Sequence, residues 1–130
     1  MFFHGIFLPW VRRAGLWLFW PALAVVVWGE LTPSPPSVVN HFWDKSQHFI
    51  AYFGLALLAT LGWGLRRSLV LVFLGVLAIG GGLELAQTLT GRDGQWLDQL
   101  ANALGALTGM AVAAVYLAIP RRLVEDASRD

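Results

Sequence analysis

Three ordered groups of polar residues, set in an apolar background, are of the types that do chemistry. The first is Asp44-Lys45 with His48 and Tyr52, in which Asp44, His48 and Tyr52 recur four residues apart and so lie along one side of a helix. The second is Glu84 with Gln87 and Thr88, and the third is Asp98 with Asn102. Between them Arg92 stands in the turn-forming run Thr90-Gly91-Arg92-Asp93-Gly94. A histidine titrates near neutrality and, beside a carboxylate, can move a proton or share a metal ion. An arginine on a tight turn can clamp a phosphate or carboxylate through two parallel hydrogen bonds.

Each group also has a plainer reading. Asp44 and Asp98 stand at helix starts, where a carboxylate caps free N–H groups and complements the helix dipole. A lone His48 in a bundle more often carries a hydrogen bond between helices than a metal, even with Asp44 at hand. Arg92 pairs equally well with Asp93 or Asp98. Glu84 is different, because an ionisable carboxyl about two turns inside an apolar stretch has no local helical reason to be there. A salt bridge to Arg92 or Lys45 would be its plain partner, and proton carrier or general base its sharper roles. With no Cys in the chain, disulfides, thiolate metal sites and thiol nucleophiles are excluded. A haem would want a second axial ligand at similar depth, whereas His4 and His41 fall outside the apolar stretches. The expectation is therefore no metal and no cofactor, and no catalytic set is assigned.

The elements that must position these residues follow from composition. The chain has 130 residues, of which 57% are hydrophobic and only 13% charged, against about 25% charged in ordinary globular proteins. Its mean hydropathy is +0.62. Such a chain needs lipid as part of its solvent, and four apolar stretches, 14–29, 46–65, 68–88 and 97–119, predict an all-α, four-helix transmembrane bundle forming one domain over 1–130. About 20 helical residues cross roughly 30 Å of hydrocarbon, so the first span is short, needs Arg13 and Glu30 to reach the interfaces, and is expected to kink at Pro21. It reads as a retained helix, since Trp28-Gly29-Glu30-Leu31 lacks the small-x-small pattern of a signal cleavage site. A net charge of +1 offers no surface for nucleic acid.

Arg12, Arg13, Arg66, Arg67, Arg121, Arg122 and Arg129 fall on one side of such a bundle and only Lys45 and Arg92 on the other. By the retention of basic residues in cytoplasmic loops, both termini are expected inside and the polar helix ends outside. The segment 1–10 is expected to lie along the inner interface, Thr32-Pro33-Ser34-Pro35-Pro36 to form a stiff outer strap, and 120–130 to fray. All the polar groups named above then share one layer below the outer surface. Ala101, Gly105, Gly109 and Ala113 form a small-residue stripe down the last helix, on the face of Asp98 and Asn102, that would admit a close neighbour. A bend or close contact is expected at Gly80-Gly81-Gly82. Asp98 and Asn102 also faintly echo Asp44 and His48, as two tandem hairpins would.

With Asp44-Lys45, His48, Tyr52, Glu84, Gln87, Arg92, Asp98, Asn102 and Gly105 in order over residues 40–113, the chain resembles the VanZ-like family of small bacterial integral membrane proteins. The resemblance implies an envelope protein, linked in some members to teicoplanin (glycopeptide) resistance, and does not supply a reaction. Three readings of function remain. The leading one is an outward-facing polar pocket of Asp44, Lys45, His48, Tyr52, Glu84, Gln87, Arg92, Asp98 and Asn102 that binds an anionic or lipid-linked envelope molecule. The others are a small accessory subunit of a larger membrane complex, and, less favoured for want of a nucleophile or metal motif, an enzyme acting on a lipid-linked substrate. Membrane lipid is a partner in all three.

Overall fold

The computed structural model describes residues 2–32, 41–64, 69–89 and 96–127, with side chains over 8–32, 45–64, 69–89 and 96–118. The chain is all-helical, with α1 over Phe2–Leu31, α2 over His41–Trp63, α3 over Leu69–Leu89 and α4 over Trp96–Ala127. Three of these contain segments long and apolar enough to cross a membrane, Leu8–Leu31, Leu69–Leu89 and Trp96–Ala118. The 23 residues of α2 give it a comparable reach, but its polar first turns lower its hydropathy.

Both chain ends depart from expectation in the same direction. The first helix is a continuous 30 residues with Pro9 and Pro21 inside it, so segment 2–10 is helical and continuous with the apolar span that begins at Leu8. The last helix has 32 residues and carries on through Pro120 to Ala127, where a frayed tail was expected. Propensity explains the second case: Arg121, Arg122, Leu123, Glu125 and Ala127 are good helix formers, and a helix already nucleated by a long span extends at little cost.

The bundle is organised around α2 and α4, which share the most extensive contact, followed by α1 on α2, with α3 more loosely attached. Glycine makes the central contact possible. A Cβ at Gly105 would overlap the carbonyl oxygen of Phe49, and one at Gly109 that of Phe53, so the two backbones touch where side chains would hold them apart. Ala106, Ala113, Ala56 and Ala59 are buried nearby, while Ala101 of the same stripe is half-buried. Lys45 meets Asp98 and His48 meets Asn102 at nearly the same sequence offset, 53 and 54 residues. The two helices therefore run parallel, with α3 as the return.

Helix α1 is seated by a second close approach, where a Cβ on Gly15 would lie 2.8 Å from Gly62 N and 2.9 Å from Leu58 O. Just beyond, α2 ends at Gly64, whose positive φ of 70° lets its N–H bond back to the Thr60 carbonyl at 2.8 Å. Arg12 donates to the neighbouring Trp63 carbonyl at 3.4 Å. The core is Phe19, Tyr52, Leu55, Val72, Val76 and Met110 with the small alanines. Outward, Trp17, Trp20, Trp28, Leu71, Leu85 and Val115 are exposed, a surface suited to lipid and unlike that of a water-soluble monomer.

The glycines give a matched test. Gly105→Val should destabilise the purified protein by about 1–3 kcal/mol through overpacking, whereas Gly82→Ala, whose Cβ would meet nothing within 4 Å, should be neutral or raise stability by up to about 1 kcal/mol through helix propensity. Thermal unfolding in detergent micelles reads both signs.

Candidate functional site

One end of the bundle gathers polar side chains from all four helices. Glu30 is at the last turn of α1, Lys45, His48 and Tyr52 in the first half of α2, Glu84 and Gln87 in the last turns of α3, and Asp98, Gln99 and Asn102 at the start of α4. Glu30, His48, Tyr52, Gln87, Asp98 and Asn102 are buried, Tyr52 and Asn102 completely. Periodicity produces this locally. On α2 the three-residue and four-residue steps from Lys45 to His48 to Tyr52 stack them on one face, and on α4 Asp98 and Asn102 are one turn apart.

Two direct bonds bridge α2 and α4. The Lys45 ammonium donates to Asp98 Oδ1 at 3.0 Å, and His48 Nδ1 lies 3.1 Å from Asn102 Oδ1. The polarity of the second bond is set by a relay anchored on backbone. Gln99 Nε2 donates to the Leu77 carbonyl at 3.1 Å, and a carbonyl can only accept, so Gln99 Oε1 is left to receive Asn102 Nδ2 at 3.2 Å. Asn102 Oδ1 is thereby the acceptor toward His48, and Nδ1 carries the proton. The lone pair of the neutral imidazole then sits on Nε2.

Helix α1 enters this network at Glu30, whose Oε1 is 3.7 Å from His48 Nδ1 and whose backbone carbonyl accepts Gln87 Nε2 at 2.9 Å. The Tyr52 hydroxyl faces the Glu30 carboxyl and lies near that of Glu84. The Glu84 carboxylate oxygens are themselves buried. Gly80 is the floor of the cluster: a Cβ there would be 2.9 Å from Asn102 Nδ2 and 3.0 Å from both Gln99 Oε1 and Tyr52 Cε1. Its neighbours have no such role, since a Cβ on Gly81 comes no nearer than 3.9 Å to Gln99 and one on Gly82 meets nothing.

The sequence-expected residues Lys45, His48, Tyr52, Glu84, Gln87, Asp98 and Asn102 thus come together. Asp44 lies in the first turn of α2 with its side chain outside the described residues, and Arg92 lies wholly outside them. Two members were missed. Glu30 was read as an interfacial anchor of a short span, yet it is the only acidic residue of α1 and points inward. Gln99 was not singled out, although its position three residues before Asn102 places both on one face. Lys45 was offered as a partner for Glu84; its ion pair here is with Asp98. Chemically the cluster holds three carboxyl groups, the Lys45 amine and one imidazole, with His48, Glu84 and Asp98 each presenting a ligand-type atom within 4.8 Å of the other two. That gathering was not anticipated, because the expected neighbour of His48 was Asp44 on its own helix.

Below the cluster an apolar cavity of about 320 Å³ is bordered by Phe19 and Leu23 of α1, Ala59 and Trp63 of α2, and Gly75, Val76 and Ile79 of α3. Ile79 directly precedes Gly80, so the cavity begins next to the cluster floor and runs toward the opposite end of the bundle. No protein-family description, curated protein or solved structure matches the chain.

The Lys45–Asp98 pair gives a clean energetic test. Lys45→Met or Asp98→Asn alone should destabilise the protein because a charge is left without its partner, and the double variant should recover part of the loss. A coupling of about 1–3 kcal/mol between the two sites is expected, measured as a double-mutant cycle of thermal or denaturant stability in micelles.

Proposed function

We propose that this chain is a VanZ-like envelope protein that recognises a lipid-linked molecule, taking its polar head at the four-helix cluster and its hydrocarbon in the adjoining cavity. The observation that carries the reading is adjacency along α3: Gly80 packs against the polar cluster, and Ile79, the residue before it, lines the apolar cavity. An amphiphile is the ligand class whose two halves match such a pair of surfaces. Polar side chains inside a membrane span are costly and concentrate where a substrate or ion must be met, and sites between the helices of a bundle are a common place for small-molecule binding. Lys45 is the described cation of the cluster, and Arg92 in the α3–α4 connection is the second basic residue on that side. Lys45 is already paired with Asp98, so in this proposal an anionic head group is met by Arg92 together with hydrogen-bond donors of the cluster. In this proposal both termini face the cytoplasm of a bacterial cell and the cluster faces outward, following the distribution of arginines.

A second reading, a small accessory subunit whose polar cluster only locks its helices, is favoured by one observation. Several of the polar bonds close within the protein, as Lys45–Asp98, His48–Asn102 and Gln87 to the Glu30 carbonyl do. Such a network orders a bundle with no ligand at all.

Native mass spectrometry of gently extracted protein separates the two. Lipid recognition predicts a copurifying lipid at about one per chain. Gly75→Leu, which fills the cavity from a position whose Cβ meets nothing within 4 Å, should reduce it severalfold while the melting temperature holds. A copurifying polypeptide with no retained lipid would favour the subunit reading, and a lipid signal unmoved by Gly75→Leu would remove the cavity from the proposal.

A further inference from the structure

Within the cluster, three side chains of metal-ligand type converge from different helices, His48 of α2, Glu84 of α3 and Asp98 of α4. A ring nitrogen of His48 and one carboxylate oxygen of each acid lie within 4.8 Å of one another. Ligands held at about 2.0–2.2 Å from a first-row cation stand somewhat closer together than this, within reach of a modest side-chain adjustment. The mixture of one imidazole and two carboxylates suits divalent cations of the zinc and manganese type and offers nothing to soft, thiolate-seeking ions. We propose that His48, Glu84 and Asp98 form a binding site for a single such divalent cation.

Two observations support this. The first is the relay from the Leu77 carbonyl through Gln99 and Asn102, which holds the proton of His48 on Nδ1. Metal-binding histidines are oriented in this way, with one ring N–H donated to an oxygen and the other nitrogen free to coordinate. The second is charge. Glu30, Glu84 and Asp98 bring three carboxyl groups into a largely buried volume whose described cation is Lys45; like charges at close quarters inside a low-dielectric interior are costly, and a divalent ion removes that cost.

Lys45 sets the competition. Its ammonium occupies Asp98 Oδ1 at 3.0 Å, so an arriving ion must displace it or share the carboxylate. This differs from lipid recognition, which needs the apolar cavity; the cation site is complete without it.

The test is equilibrium binding of zinc alone, and separately manganese alone, to the full chain in detergent micelles after treatment with a chelator. One saturable ion per chain is expected. Glu84→Gln and Asp98→Asn should each weaken it about tenfold or more, and Asn102→Leu, which removes the orienting acceptor of His48 together with the donor to Gln99, about 10- to 100-fold. Lys45→Met should tighten binding severalfold, an effect that a damaged fold would not produce. Melting curves of every variant identify any that fail to fold. Absence of saturable uptake tighter than about 1 mM would overturn the proposal, as would uptake unchanged by Glu84→Gln and Asp98→Asn, which would assign the ion to other residues. Lipid copurification is read on the same preparations, so that either proposal can fail alone.

Discussion

The contact on which the structure depends is the near-touching of the α2 and α4 backbones. Gly105 and Gly109 bring α4 against the Phe49 and Phe53 carbonyls, and in lipid, where apolar side chains gain little by leaving one another's company for the solvent, such close packing is a principal source of helix association. The approach also sets the register. Once Phe49 faces Gly105 and Phe53 faces Gly109, Lys45 must face Asp98 and His48 must face Asn102, since all four pairs lie on parallel helices at nearly constant offset. A packing feature in the middle of the bundle thereby dictates which charges meet at its end.

The cluster that results is a set of mutual dependencies more than a list of contacts. The Leu77 carbonyl orients Gln99, Gln99 orients Asn102, and Asn102 decides which nitrogen of His48 carries a proton. Hydrogen bonds in a low-dielectric interior are strengthened, and unmet polar groups there are costly, so such a chain holds as a unit or is lost as one. Helix α1 participates through Glu30, and its ability to reach depends on the distant Gly15–Gly62 approach that lays it along α2. The middle of α1 is thus tied by backbone proximity at Gly15 and its last turn by polar contact at Glu30.

Loose packing is as informative as tight packing. Helix α3 carries Glu84 and Gln87 into the cluster, yet over its other half it stands away from α1 and α2 and leaves the cavity between Phe19, Trp63 and Val76. The recess is partly open, with the exposed Trp20 and Leu71 among its lining residues, so it is a groove on the apolar surface and not an internal void. That groove is the feature that ties the proposed amphiphile to this fold, whereas the hydrogen bonds that close between helices argue for stability without a ligand.

The sequence alone determined the four helices and the end at which their polar residues lie, because hydrophobic runs and the 3.6-residue period are local properties. Lys45, His48 and Tyr52 share a face by spacing, and Asp98 and Asn102 do so for the same reason. The lengths of α1 and α4 were less legible: a span defined by hydropathy stops at Arg13 or Pro120, but hydrogen-bonded helix continues as long as the backbone is satisfied. Partner choice was beyond reach. That Lys45 pairs with Asp98, that Glu30 turns inward to His48, and that His48, Glu84 and Asp98 converge are decided by interhelical register. That register depends on where two glycines let backbones touch, a distance between elements that no spacing along one chain segment encodes.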